Sequence, residues 1–233
     1  MSEEMDIVDY LVASIQSGEY VSGDKLPSEH ELAEQFKVPR MTARKAYERL
    51  QELGLIYSMQ GKGSFVRDRK LRIPLALSGG KSFSKKMIEL GFNYESMNIF
   101  CEPVESNHKI EATLGIGDGD RVFKIGRLRK IDGCPVALHI SYVAESLFPN
   151  IEHVGREISS MFEFYERHGY TDFQLSESIL SITYPIKYER ELLACSSLIP
   201  LLVLNSECRD KETGRMIECS RIMYRGDMFT YEL

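Results

Sequence analysis

The sequence predicts an α+β protein in two parts, an N-terminal winged helix-turn-helix followed by a domain built on an antiparallel sheet. Three observations carry this. Apolar residues recur at helical spacing between residues 7 and 53, a glycine-rich turn then joins two short strand-like runs, and longer strand-like runs dominate the remainder. The expected boundaries are 1–67 for the first domain, 68–80 for a linker and 81–233 for the second domain.

Each element has a local reason. Ile7, Leu11 and Ile15 form one helical stripe, closed by Ser17-Gly18. After a turn-rich stretch, Ser28-Glu29-His30-Glu31 reads as a capping box, in which the serine hydroxyl and the glutamate satisfy free backbone N–H groups reciprocally. Leu32, Ala33 and Phe36 give that second helix its inward face. A third helix starts near Arg40, buries Ala43, Ala46, Leu50 and Leu53, and stops at Gly54. Residues 55–59 and 64–66 are strand-like, and Gln60-Gly61-Lys62-Gly63 between them makes a hairpin with an exposed basic tip.

In the second domain, strands are expected at 97–104, 121–131, 135–143, 174–184, 200–209 and 215–225, and helices near 82–90, 107–114, 158–168 and 186–195. Asp132-Gly133 and Thr213-Gly214 mark two hairpins. Each follows a helix of similar length, which predicts a pseudo-duplicated sheet.

Composition narrows the function. Hydrophobic residues make up 43% and charged residues 27% of 233, enough for ordinary cores. No apolar run approaches the roughly 20 residues needed to span a bilayer. The acidic start, Met1-Ser2-Glu3-Glu4-Met5-Asp6, lacks the pattern of a secretion signal, so a soluble cytoplasmic protein without a membrane partner is expected. Five scattered cysteines and five histidines lack metal-ligand spacing or a disulfide framework, so neither a metal nor a cofactor is expected.

The net charge of -6 argues against indiscriminate binding to nucleic acid, but its distribution is uneven. Between residues 37 and 49, Lys37, Arg40, Arg44, Lys45 and Arg49 stand against Glu48 alone. Arg40 and Arg44 share a helical face, with Thr42 near the helix start. Arginine reaches guanine O6 and N7 with two bonds, and threonine reaches a phosphate or a thymine methyl. The same charges also describe a solvated basic face or a protein-docking module. The basic hairpin tip favours DNA, because a small-residue wing can approach the minor groove.

Gly23-Asp24-Lys25-Leu26-Pro27-Ser28-Glu29, Leu32-Ala33, Arg40-Met41-Thr42-Ala43-Arg44, Leu53-Gly54-Leu55-Ile56 and Gly61-Lys62-Gly63-Ser64-Phe65-Val66 resemble the DNA-binding domain of GntR-type transcriptional regulators, nearly continuously over residues 5–67. The resemblance implies operator contacts by Arg40, Thr42 and Arg44 and a minor-groove wing at Gly61, Lys62 and Gly63. It adds Lys25, Ser28 and His30 to the interface. Where that family often has arginine, this chain has His30, which implies a weaker, pH-sensitive contact.

Residues 80–233 are similar to the UTRA domain of the HutC branch. The resemblance rests on Ser82-Phe83-Ser84, Arg127-Leu128-Arg129, Asp132-Gly133-Cys134-Pro135-Val136, Ser141-Tyr142, Leu147-Phe148-Pro149 and the run from Glu218 to Tyr224-Arg225-Gly226-Asp227. It implies a chorismate lyase-like sensor fold that binds small effectors. Strand alternation independently puts Arg127 and Arg129 on one face, and Glu218, Ser220 and Tyr224 on one face. Two guanidiniums opposite a carboxylate and hydroxyls suit a phosphate at one end and sugar hydroxyls at the other. Without the resemblance, the arginines read rather as surface cross-strand ion pairs, and Tyr224 equally as a core-edge residue.

By resemblance, Arg127, Arg129, Ser84 and Ser160 hold a phosphate, and His139, Glu218 and Tyr224 read the sugar, with Ser82 and Phe162 completing the site. His139 and Phe162 replace a glutamate and a tyrosine frequent in sugar-phosphate sensors, a change that alters which hydroxyls are read. The expected function is a homodimeric repressor, governed at a pseudo-palindromic double-stranded DNA operator by an effector such as a phosphorylated sugar. The alternatives are an effector without phosphate, or an enzyme tethered to DNA with Glu218 and His139 as acid/base groups. The enzyme reading lacks any nucleophile–base motif.

Overall fold

The computed structural model of the chain describes residues 2–68, 82–105, 107–117 and 119–229. Helix α1 (Glu3–Ser17) opens on a Ser2 cap and closes on left-handed Gly18. Helix α2 (Glu29–Phe36) carries the expected capping box: the Ser28 hydroxyl accepts from Glu31 N at 3.2 Å, and Ser28 N donates to Glu31 Oε2 at 2.6 Å. Helix α3 (Arg40–Glu52) follows Pro39 and buries Ala43, Ala46, Tyr47 and Leu50. With Ile7, Leu11, Leu32 and Ile56 these residues form one core under the three helices. Strands β1 (Ile56–Met59) and β2 (Gly63–Val66) pair antiparallel as the wing.

Apart from Asp68, the expected linker at 68–80 lies outside the described residues. Beyond it, helix α4 (Phe83–Glu89) leads to β3 (Tyr94–Pro103), α5 (His108–Leu114), β4 (Val122–Ile131) and β5 (Cys134–Ala144). A short α6 (Ile151–Val154) with one 3-10 turn follows, then α7 (Met161–Arg167), β6 (Phe173–Thr183), α8 (Lys187–Leu193), β7 (Leu201–Asp210) and β8 (Met216–Arg225). Helix α6 is not expected from sequence, because its four residues are too few for a periodic signal.

Among the described residues these strands form one six-stranded antiparallel sheet in the order β3-β4-β5-β8-β7-β6. Each half runs helix, strand, helix, hairpin, and the halves meet where β5 pairs with β8. The echo in the sequence therefore corresponds to a repeated topology. On one sheet face Leu128, Leu138, Val203 and Met223 pack with Leu193 of α8, while Leu114 of α5 packs with Val122 and Met216. The other face lies under α4 and under the segment from α6 to α7, through Met87 on one side and Met161 and Tyr165 on the other. Between those covers it is left open as a pocket.

The two domains touch directly. Ser196, between α8 and β7, donates its hydroxyl to the backbone carbonyl of Glu52 at the end of α3. Gly54 sits at φ +70°, and a Cβ there would lie 2.6 Å from Ile199 Cδ1 and 3.4 Å from Asp227 Oδ2. Only glycine combines that backbone with that approach. Asp227 in turn is locked to Arg225 by two hydrogen bonds, of 3.1 and 2.8 Å, and both side chains are only 6% exposed.

Candidate functional site

The first constellation lies on α3 and the wing. Packing of Ala43, Ala46 and Leu50 against α1 and α2 turns Arg40 and Arg44 outward, with side chains 71% and 57% exposed. Each rests on a carboxylate: Arg40 Nε donates to Glu29 at 3.0 Å and Arg44 Nε to Glu48 at 3.1 Å. Exposed ion pairs contribute at most about 1 kcal/mol, so a phosphate or guanine can take over either arginine. Thr42 is half-buried beside them.

The wing glycines have the positive φ that the turn needs, +73° at Gly61 and +115° at Gly63, and both are exposed with Lys62. Lys25 bridges Phe65 of β2, and its Cε lies 2.9 Å from where a Gly63 Cβ would stand, so this lysine adds its charge to the wing. Ser28 serves the cap of α2, yet its hydroxyl hydrogen is not used in that cap. His30 is exposed and 3.4 Å from Glu34. Sequence reasoning passed over Tyr47, whose buried hydroxyl donates to the Pro27 carbonyl and ties α3 to the segment before α2.

The second constellation is a pocket of about 140 Å³ on the open sheet face. It gathers Ser82, Arg127, Arg129, His139, Ser160, Phe162, Glu218 and Tyr224, eight of the nine sensor residues expected from sequence. Ser84 is the exception. Its hydroxyl shares a 3.1 Å hydrogen bond with Tyr94 and stands behind the wall. Ser82 and Ser160 cap α4 and α7 while facing the cavity.

Strand register explains the convergence. Arg127, His139, Ile222 and Leu204 form one cross-strand row, and Arg129, Ala137, Tyr224 and Leu202 form the next on the same face. The arginines are not surface ion pairs, being 4% and 3% exposed. Arg129 donates to Tyr94, Ser96 and the Ser159 carbonyl, and Arg127 donates to Ser141. Among the described residues neither forms a salt bridge, and the Nε of each is buried without a partner.

Burial lowers both guanidinium pKa values, that of Arg129 to about 10 with help from the neighbouring Arg127 charge, yet arginine stays cationic at neutral pH. Glu218 faces Arg127 as the one carboxylate among the lining residues, which also include Lys86. The pocket is therefore net positive. Burial, reinforced by Arg129 and Arg127, holds the His139 pKa well below the usual imidazole range, and its Nε2 is unpartnered. Tyr165 stands buried beside Glu218, its hydroxyl held protonated chiefly by burial.

Sequence reasoning missed Tyr94, Ser96, Ser141, Ser206, Lys86 and Tyr165. Ser141 and Ser206 were within reach of strand alternation, two residues from His139 and Leu204. No group of His, Cys, Asp or Glu among the described residues is arranged to hold a metal, and the five cysteines are free thiols. No described helix is long and apolar enough to cross a membrane.

A winged reader joined to a domain with a net-positive pocket on its sheet defines a ligand-responsive DNA-binding regulator. The family models agree: residues 4–66 match the bacterial regulatory proteins of the gntR family, and residues 89–230 match the UTRA domain. The chain belongs to this family and is a DNA-binding transcriptional repressor, not an enzyme. It is 29% identical to the transcriptional repressor NagR of Bacillus subtilis, over 97% of this chain and 91% of that one. It is 27% identical to MngR of Escherichia coli, the mannosyl-D-glycerate transport/metabolism system repressor, over 97% and 93%. The fold matches the crystal structure of PhnF from Mycobacterium smegmatis at a TM-score of 0.59 and 23% identity, over 100% and 99% of the two chains.

Proposed function

We propose that this repressor binds a pseudo-palindromic operator as a homodimer in the cytoplasm and that a small anionic effector, a phosphorylated sugar, governs the binding. The observation that carries the effector class is the arginine pair. Two buried guanidiniums with unpartnered Nε–H groups face one cavity, and only Glu218 balances them there. A phosphate supplies both the missing charge and the missing acceptors. The name of MngR attaches that relative to a sugar derivative, which fits the same class of ligand.

On the DNA side, Arg40, Thr42 and Arg44 read the major groove while Gly61, Lys62 and Gly63 follow the minor groove, with Lys25, Ser28 and His30 at the backbone. One such head covers few base pairs, so useful specificity needs two. The edge strand β6 supports a dimer: on one face Leu180 is 42% and Ile182 is 69% exposed, and the exposed apolar run continues to Tyr184 and Ile186 just beyond the strand. A second copy removes that run from water.

The route from effector to DNA runs along β8. That strand lines the pocket with Ser220, Ile222 and Tyr224 and then delivers Asp227 to Gly54 beside the recognition helix. An effector that prefers one strand position thereby biases the spacing of the heads.

Thermal unfolding with matched pairs of phosphorylated and unphosphorylated sugars tests the effector class. A ligand at 100 times its Kd adds about 2.7 kcal/mol. Stabilisation confined to the phosphorylated members is expected, and stabilisation by the unphosphorylated members alone would refute it.

A further inference from the structure

One row on the pocket face is made of serines. Ser141, Ser220, Ser206 and Ser178 stand opposite one another on the adjacent strands β5, β8, β7 and β6. The row begins at the anion-binding end, because Arg127 donates to Ser141. It lies two residues from the row of Arg127 and His139, roughly 7 Å along the strands. Ser220 and Ser206, roughly 5 Å apart across the sheet, both line the cavity.

Their hydrogen bonding leaves capacity for a ligand. Ser220 reaches the Ser206 backbone carbonyl at a long 3.4 Å, and the Ser206 and Ser178 hydroxyls share one 3.0 Å bond. A serine hydroxyl has one hydrogen and two lone pairs, so lone pairs remain on both lining serines. Three buried groups of the same cavity are also unpartnered: Arg127 Nε, Arg129 Nε and His139 Nε2. The cavity thus has donors at one end and acceptors at the other.

We propose that Ser220 and Ser206 form the hydroxyl-reading subsite of this pocket, so that the effector is a polyhydroxylated anion lying along the serine row with its anionic end at Arg127 and Arg129. Ser141 and Ser178 are positioning residues that orient the two readers. This deepens the sugar-phosphate reading and rests on it for the nature of the anion.

The test is calorimetric titration of the full-length protein with inorganic phosphate, propyl phosphate, a panel of hexose 6-phosphates and hexitol phosphates, and the corresponding sugar acids. Wild type is compared with Ser206→Ala, Ser220→Ala and the double variant, whose folding is checked by circular dichroism. At least one hydroxylated ester binds wild type roughly tenfold or more tighter than propyl phosphate, and the double variant abolishes that advantage. Affinity for inorganic phosphate and propyl phosphate stays within about twofold in every variant, since those ligands lack the hydroxyls in question. A hydroxylated ester that binds no better than propyl phosphate, or that keeps its advantage in the double variant, overturns the proposal. If no phosphate compound binds but a sugar acid does, and the variants weaken it, the phosphate reading falls and the serine subsite stands. If no hydroxylated anion of either kind binds wild type, the subsite falls too.

Discussion

Ser196 of the sensor domain donates its hydroxyl to the backbone carbonyl of Glu52, so the last turn of the recognition helix is held from outside its own domain. Ile199 and Asp227 close against Gly54 immediately beyond that turn. The reading head is thus seated on the connection between α8 and β7 and on the turn that follows the pocket-lining end of β8.

Disturbing this seat separates sensing from DNA binding. The double variant Ser196→Ala, Ile199→Ala keeps effector affinity within about twofold, because neither residue lines the pocket. Its operator affinity loses most of its response to effector. Paired titrations of ligand and operator check this, and an intact response would move the coupling elsewhere.

Removing the Arg44 side chain costs roughly 1–3 kcal/mol in operator binding and lowers specificity at the base it reads. The exposed Arg121, which pairs with Glu145 and Glu152 in the sensor domain, serves as the control, and Arg121→Ala leaves operator affinity unchanged. Anisotropy titrations against an operator selected from random duplexes, repeated over a range of salt, measure both.

Tyr47→Phe tests the reader domain's own architecture. The lost hydroxyl leaves the Pro27 carbonyl without its donor, at a cost of about 1–2 kcal/mol in urea unfolding. A neutral result would mean that packing of the ring alone holds the segment before α2.

His139 makes stability depend on pH in a defined direction. Burial beside two cations keeps it neutral when folded, whereas in the unfolded chain it takes up a proton near 6.5. The unfolded state therefore binds more protons below that pH, and stability falls as pH drops from 6.5 toward the depressed folded value. The limiting slope is about 1.4 kcal/mol per pH unit. His139→Gln flattens this component of the profile between pH 6.5 and 5.5, as urea unfolding at each pH measures. A bound anion does the same, by offsetting the charges of Arg127 and Arg129.

The fold and most of the pocket were legible because both rest on local periodicity. The Ala43, Ala46 and Leu50 stripe fixes which face of α3 carries Arg40 and Arg44. Alternation along β4, β5 and β8 puts Arg127, His139 and Tyr224 in one cavity. What escaped depends on contacts between distant segments. Tyr94 and Ser96 enter only because β3 pairs with β4 and brings them to Arg129. Gly54 reads in sequence as a helix stop, and nothing local reveals that Ile199 and Asp227 press against it. Ser84 shares a motif with Ser82, but it falls one helical step behind the wall, on Tyr94.

Control of the reading heads by anion binding at the arginine pair has one direct test. Operator affinity is measured for wild type and Arg129→Met, each with and without the phosphorylated sugar that best stabilises wild type. Arg129 makes its hydrogen bonds to neutral oxygens and stands against the like charge of Arg127, so its removal strands no buried carboxylate, and circular dichroism checks that the variant is folded. Wild-type operator affinity is expected to shift by about tenfold or more on adding the sugar phosphate, a coupling in the usual range. Arg129→Met should match wild type on DNA alone and show no shift. An effector response in Arg129→Met equal to that of wild type would mean that the arginine pair does not control the reading heads.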